Sequence, residues 1–199
     1  MSESKYKERQ GFEMGNWPEL RSLFNDLIKL VLDEGQISQQ LKFEVFTVAS
    51  LSAGCRHCQS HGAVFLDKIS VDVDRIKAIW EYETSDLFDE AERAALDLAR
   101  LAGLSPNLSE PENFDELRKY YSDRQIIEIV AVISLGGWLN RWNDTFATVT
   151  DQESLDFATE HLSEVGWEIG KHVGETKEQR KAHPSTLGWG IRIENGRSV

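Results

Sequence analysis

The chain has 199 residues, 40% hydrophobic and 28% charged, with six Trp and nine Phe to fill an interior, which excludes a wholly disordered polypeptide and is enough for one buried core. Its 22 Lys and Arg against 34 Asp and Glu leave a net charge of −12, a balance that repels nucleic-acid phosphates and anionic membrane surfaces. The most apolar run, residues 126–139, is broken by Glu128, Ser134 and two glycines and is too short to span a bilayer.

Residues 1–15 carry charge without periodicity and read as an N-terminal arm. From Trp17-Pro18 onward, Leu20, Leu23, Phe24, Leu27, Ile28, Leu30 and Val31 recur at helical spacing until Gly35. Ser38 is an N-cap for a second helix through Leu41, Val45, Val48 and Leu51 toward Gly54. Residues 55–68 read as a third helix and 71–80 as a short fourth. Residues 88–104 carry an alanine and leucine stripe behind Asp89, Glu90 and Glu92, which suit the positive end of a helix. The two prolines of 105–113 indicate a loop, and 114–121 a short helix. Ser122 or Asp123 caps a long, mostly apolar helix over 124–148, in which Gly136-Gly137 would place a kink, and a last helix covers 153–166. From 171 the pattern becomes a polar tail whose His183-Pro184 and Trp189 suit packing on the body or on a neighbouring subunit.

No segment alternates with period two, so the expected fold is an all-α multi-helix bundle, with one helical domain over 16–170 between the arm and a tail over 171–199. A faint internal repeat at an offset of 84 residues matches Ser38 with Ser122, Glu44 with Glu128, Ser50-Leu51 with Ser134-Leu135, Ala63 with Ala147 and Asp67 with Asp151. A helical duplication would explain it, as would two capped helices of similar composition.

The chemistry concentrates in residues 44–61, which hold both cysteines, Cys55 and Cys58, with His57, His61 and Glu44. Two thiols at this spacing beside an imidazole can cycle between dithiol and disulfide or join a metal site, although no second Cys or His pair stands elsewhere to complete four zinc ligands. With only two cysteines and a polar, mixed-charge N-terminus, the expected setting is the reducing cytoplasm. If the helix ran unbroken, eleven residues at about 100° each would bring Glu44 and Cys55 to one side, and His61 lies one turn beyond Cys58. The four groups would then converge. A thiol with an ordinary pKa of about 8.5 needs help to become the attacking thiolate, from a helix N-terminus, from His57 or His61, or from Glu44 passing the proton onward. The helix dipole alone favours Cys55, which is nearer the N-terminus. His57 is a secondary candidate, more simply an exposed bystander.

The motif Ala53-Gly54-Cys55-Arg56-His57-Cys58-Gln59-Ser60-His61, with Glu44 upstream and Ser122-Asp123-Arg124-Gln125-Ile126-Ile127-Glu128 leading to Asn140-Arg141 downstream, resembles the alkyl hydroperoxidase D-like, or carboxymuconolactone decarboxylase, family over about residues 38–150. The resemblance implies an all-helical homo-oligomer (trimer, hexamer or dimer) and an antioxidant, peroxiredoxin-like oxidoreductase. In that reading Cys58 attacks a hydroperoxide, Cys55 resolves the sulfenic acid to a disulfide, His61 and Glu44 relay the proton, and a dithiol or lipoyl-type protein restores the thiols. No cofactor or metal is implied, and no nucleic acid or membrane. Many members place the histidine four residues after the second cysteine; here Gly62 holds that place and His61 stands one earlier. The alternatives are a decarboxylase or isomerase of a small carboxylated lactone, and a non-catalytic redox-sensing oligomer.

Overall fold

The structure, a computed structural model, describes residues 14–174 and the short segments 193–194 and 197–198. Eight α-helices follow one another: α1 Pro18–Asp33, α2 Gln39–Ser52, α3 Arg56–Lys68, α4 Val73–Ala78, α5 Glu90–Ala102, α6 Pro111–Leu117, α7 Asp123–Phe146 and α8 Gln152–His161. The all-α expectation holds. The only strand pairing among the described residues is the two-residue antiparallel contact of Ile193–Glu194 with Arg197–Ser198. The expected arm over 1–15 and tail over 171–199 fall mostly outside the described residues.

Local chemistry sets the helix starts. Ser38 accepts the Leu41 N–H, Ser122 the Gln125 N–H, and Asp89 with Glu92 forms a reciprocal capping box on α5. Helix α6 begins earlier than its apolar pattern suggests, because Pro111 occupies its first turn and the Asn113 side chain accepts the Glu110 N–H. Of the two prolines that read as loop, Pro106 stays in the loop and Pro111 starts a helix. Helix α7 is continuous through Gly136-Gly137.

Helix α2 is the hub and packs on α3, α5 and α7, while α3 packs on α7 and α8. Ten consecutive residues of α2, 41–50, are buried, as are ten of α3, 57–66, so neither helix has a wet face along that length. Phe43 stacks on Phe65 at 4.9 Å between ring centroids, joining the two. Helix α1 contributes Phe24, Ile28 and Leu32 to the core and leaves Leu23, Leu27 and Leu30 exposed, so only one side of its apolar spacing is used. No helix among the described residues is long and apolar enough to cross a membrane.

The turn between α1 and α2 is fixed by a residue far away in sequence. The Glu128 carboxylate of α7 accepts the N–H groups of Gln36 at 2.8 Å and Ile37 at 3.1 Å and pairs with Arg124 at 2.8 Å. Burial alone would raise its pKa, but Arg124 and the two N–H donors lower it. Glu128→Ala leaves two N–H groups without an acceptor and is expected to cost roughly 2 kcal/mol or more, read as a lowered urea midpoint with an unchanged m-value.

Candidate functional site

Helix α2 ends at Ser52, and Gly54 adopts φ +73°, a conformation that suits glycine, so the chain breaks before Cys55. The helical-phase argument that placed Glu44 beside Cys55 therefore does not carry across. Cys55 instead becomes the N-cap of α3, with its Sγ accepting the Cys58 N–H at 3.4 Å. Both thiols are free and fully buried, and their sulfurs lie 2.8 Å apart. Closure to a disulfide length of about 2.05 Å needs less than ~1 Å of movement.

The surroundings of the two sulfurs differ. Cys58 Sγ accepts from Asn143 Nδ2 at 3.4 Å, and burial, then the neighbouring Cys55, pushes its thiol well above the ordinary range. Cys55 Sγ, a carboxylate oxygen of Asp144 and a ring nitrogen of His172 lie within 4.8 Å of one another. A strap after α8 covers this end of α3: the Trp167 indole N–H donates to the Arg56 carbonyl at 3.0 Å, and the Arg56 guanidinium donates to the Gly166 carbonyl at 3.4 Å.

His61 does not face the thiols through any described contact. Its Nδ1 lies 2.6 Å from the His57 carbonyl and its Nε2 2.9 Å from Asp151 Oδ2. Both ring nitrogens therefore face an acceptor. Asp151 also caps α8 by accepting the Ser154 N–H and hydroxyl, each at 3.0 Å. Burial would raise this carboxyl, yet His61, followed by Ser154, holds it well below the usual carboxylate range.

Glu44 is fully buried, but its oxygens are taken by Arg75, at 2.7 and 3.2 Å, and by Gln40 at 3.0 Å. Arg75 in turn pairs with Glu92 at 2.7 Å and stands over the Phe88 ring. The expected convergence of Glu44 and His61 on the sulfurs is thus replaced by two separate ion pairs. His57, expected to be exposed, is buried with 3% exposure: Nδ1 meets Thr150 Oγ1 at 3.1 Å, and its ring is tilted against that of His61, 3.9 Å between centroids, and lies 5.6 Å from His172.

No family model and no curated protein matches the chain. Solved structures do. The debrominase Bmp8 is 36% identical, with 74% of this chain and 79% of that one covered at a TM-score of 0.71, and a cysteine-to-alanine variant of it, in complex with 2,3,4-tribromopyrrole, matches at 35% with the same coverage. Two peroxidase-related proteins share the fold at 21% identity: one from Silicibacter sp. (69% of this chain, 73% of that, TM-score 0.64) and an alkylhydroperoxidase AhpD core from Ralstonia eutropha (71% and 75%, TM-score 0.59). This chain has the AhpD-like fold and is a relative of the debrominase Bmp8. Within the AhpD-like fold, the shifted histidine has a steric reason. A Cβ at Gly62 would collide with Thr47 Oγ1 and press on Phe46, because α2 and α3 approach closely there, so no side chain fits at the common histidine position.

Sequence reading missed Asn143, Asp144, Asp151 and His172. Asn143 matches Gln59 in the 84-residue offset and sits one turn beyond Asn140, but nothing in the sequence marks it as a sulfur neighbour. His172 lies where the pattern had become a tail.

Because Asp151 has a folded pKa below its unfolded one, its stabilisation is present above about pH 4 and is lost as pH falls further. Asp151→Asn is expected to lower stability at pH 7 by about 2 kcal/mol and to flatten the decline between pH 4 and pH 2.5, measured by urea unfolding across that range.

Proposed function

We propose that this chain is a thiol-dependent oxidoreductase that reduces a hydroperoxide at Cys55 and Cys58, the dithiol becoming a disulfide. The observation that carries this reading is the pair of free sulfurs 2.8 Å apart at the N-terminus of a buried helix. One thiolate attacks the outer peroxide oxygen, the O–O bond breaks, and the alkoxide leaves and takes a proton as the alcohol. The second sulfur then displaces hydroxide from the sulfenic acid, the S–S bond forms, and water departs. Two electrons have passed from the dithiol to the peroxide. A dithiol or lipoyl-type reductant restores the pair.

The family resemblance gives the attack to Cys58. The geometry supports the reverse order. Cys55 caps the helix, where N–H groups and the helix dipole favour a thiolate, whereas the buried Cys58 is held as the neutral thiol that can close the disulfide. His61 and Glu44, committed to Asp151 and Arg75, serve here as buried framework beside the pair rather than as its relay.

A second reading has its own support. The debrominase is 35–36% identical, against 21% for the peroxidase-related structures, which favours reductive removal of a halogen from a small aromatic ring. Atoms balance in the same way: a thiolate takes the halogen, the ring carbon takes a proton, and the second sulfur displaces halide to give the same disulfide.

With one equivalent of cumene hydroperoxide, intact-mass analysis should show the chain losing two hydrogens. Cys55→Ser and Cys58→Ser should each abolish turnover with dihydrolipoamide as reductant. Thiols that stay reduced toward peroxide but oxidise with a polybrominated pyrrole, with bromide released, would replace the first reading by the second. Thiols inert to both, or a double Ser variant that still turns over a carboxylated lactone, would sink both.

A further inference from the structure

We propose that His172, oriented by Thr148 and flanked by Asp144, is the proton acceptor for the Cys55 thiol, so that the base of this site comes from the strap after α8 rather than from α3. The inference rests on reading the cysteine pair as a redox dithiol, and its test does not depend on which substrate is reduced.

The positions that usually supply a base are occupied otherwise. Gly62 stands where the family resemblance expects histidine, and no side chain fits there. His61 is engaged at both nitrogens, by the His57 carbonyl and by Asp151. His57 directs Nδ1 to Thr150 and lays its ring against His61, and it is His172 rather than His57 whose ring nitrogen is grouped with Cys55 Sγ. Glu44 is bound by Arg75 and Gln40.

His172 is arranged differently. Its Nδ1 lies 2.8 Å from the Thr148 carbonyl, which can only accept, so the ring proton sits at Nδ1 and the Nε2 lone pair is left for the site. A ring nitrogen of His172 and Cys55 Sγ are within 4.8 Å, a gap that one water or a side-chain rotation bridges. Burial lowers the pKa of this imidazole, while Thr148 and Asp144 pull the other way, and the net lowering keeps the ring neutral and able to accept at neutral pH.

Once the Cys55 proton has moved to Nε2, the electron pair stays on sulfur and the imidazolium faces both the thiolate and Asp144 Oδ1, 3.5 Å away. Lys171 Nζ, 2.6 Å from Asp144 Oδ2, keeps the carboxylate from carrying an uncompensated charge. The charged and titratable groups around this transfer are Cys58, Asp144, Lys171 and His57. The imidazolium then supplies the proton that the departing alkoxide needs. Asp144 has a side chain 41% exposed, so the buried sulfur is one side chain away from solvent.

The test uses the full chain with Cys58→Ser, which leaves Cys55 as the sole thiol. Iodoacetamide alkylation of Cys55 is then followed as a function of pH. Adding His172→Gln should raise the midpoint by about one unit or more and slow alkylation at pH 7 roughly tenfold, at an unchanged circular dichroism spectrum. In His172→Ala, added imidazole should restore part of the rate, which a purely structural role would not allow. A measurement that needs no substitution at 172 runs alongside: blocking Cys55 with methyl methanethiosulfonate should lower the NMR titration midpoint of the His172 ring. An alkylation profile unchanged by His172→Gln, or a ring titration unmoved by blocking Cys55, overturns the proposal. So does stoichiometric zinc that protects Cys55 until a chelator is added. Failure of peroxide and brominated pyrrole turnover with the pH shift intact would sink the functional reading and leave this one standing.

Discussion

The constraint on which the site depends is that α3 is a polar helix with no wet face over ten residues. Its sequence places His57, Cys58, Gln59, Ser60 and His61 in succession, and all five are buried. A buried polar group without a partner costs a few kcal/mol, so each of these side chains has to find one; the Ser60 hydroxyl donates to the His57 carbonyl of its own helix, and the other four reach outside α3. His57 finds Thr150, His61 finds Asp151, Cys58 finds Asn143, and Gln59 finds the Ser50 carbonyl at 3.3 Å. These demands fix how α7 and the start of α8 lie against α3. The Cys–X–X–Cys pair is held by the same network that satisfies its neighbours.

From that constraint follows an uneven electrostatic setting for two chemically identical thiols. The sulfur at the helix cap receives a backbone N–H and lies near an imidazole and a carboxylate that reaches solvent. The sulfur one turn further on, equally buried, has a side-chain amide and another sulfur for company. Such asymmetry suits a two-step exchange, in which one sulfur is activated as a thiolate and the other stays protonated until it is needed.

The fold and the site separate in the usual way: an AhpD-like helical frame hosts differing chemistry, and the neighbours include a debrominase as well as peroxidase-related proteins. The close approach of α2 to α3 at Gly62 shows how packing redirects the site. With Thr47 occupying the space of a side chain, the histidine of α3 stands at position 61, where it turns toward Asp151 and becomes part of the helix docking.

Most of the fold was legible in the sequence. Apolar spacing in α1, α2, α5 and α7 and the caps Ser38, Asp89 and Ser122 are local signals, set by side chains within a turn of the backbone they satisfy. Pro111 was misread because a proline ends one helix and starts another with equal ease. The cysteine pair and its place near a helix N-terminus could also be seen, since three residues of separation is a local distance; that Cys55 is the cap itself was decided by the break at Gly54. What only the tertiary structure decided is which polar groups meet. Glu44 turned to Arg75, His61 to Asp151, Cys58 to Asn143, and His172 came back from the end of the described chain to stand beside Cys55. These partners are separated by 31, 90, 85 and 117 residues (75 − 44, 151 − 61, 143 − 58 and 172 − 55), and no periodicity encodes such distances. They are selected by the cost of burying polar groups unpaired, which is paid only once the helices have packed.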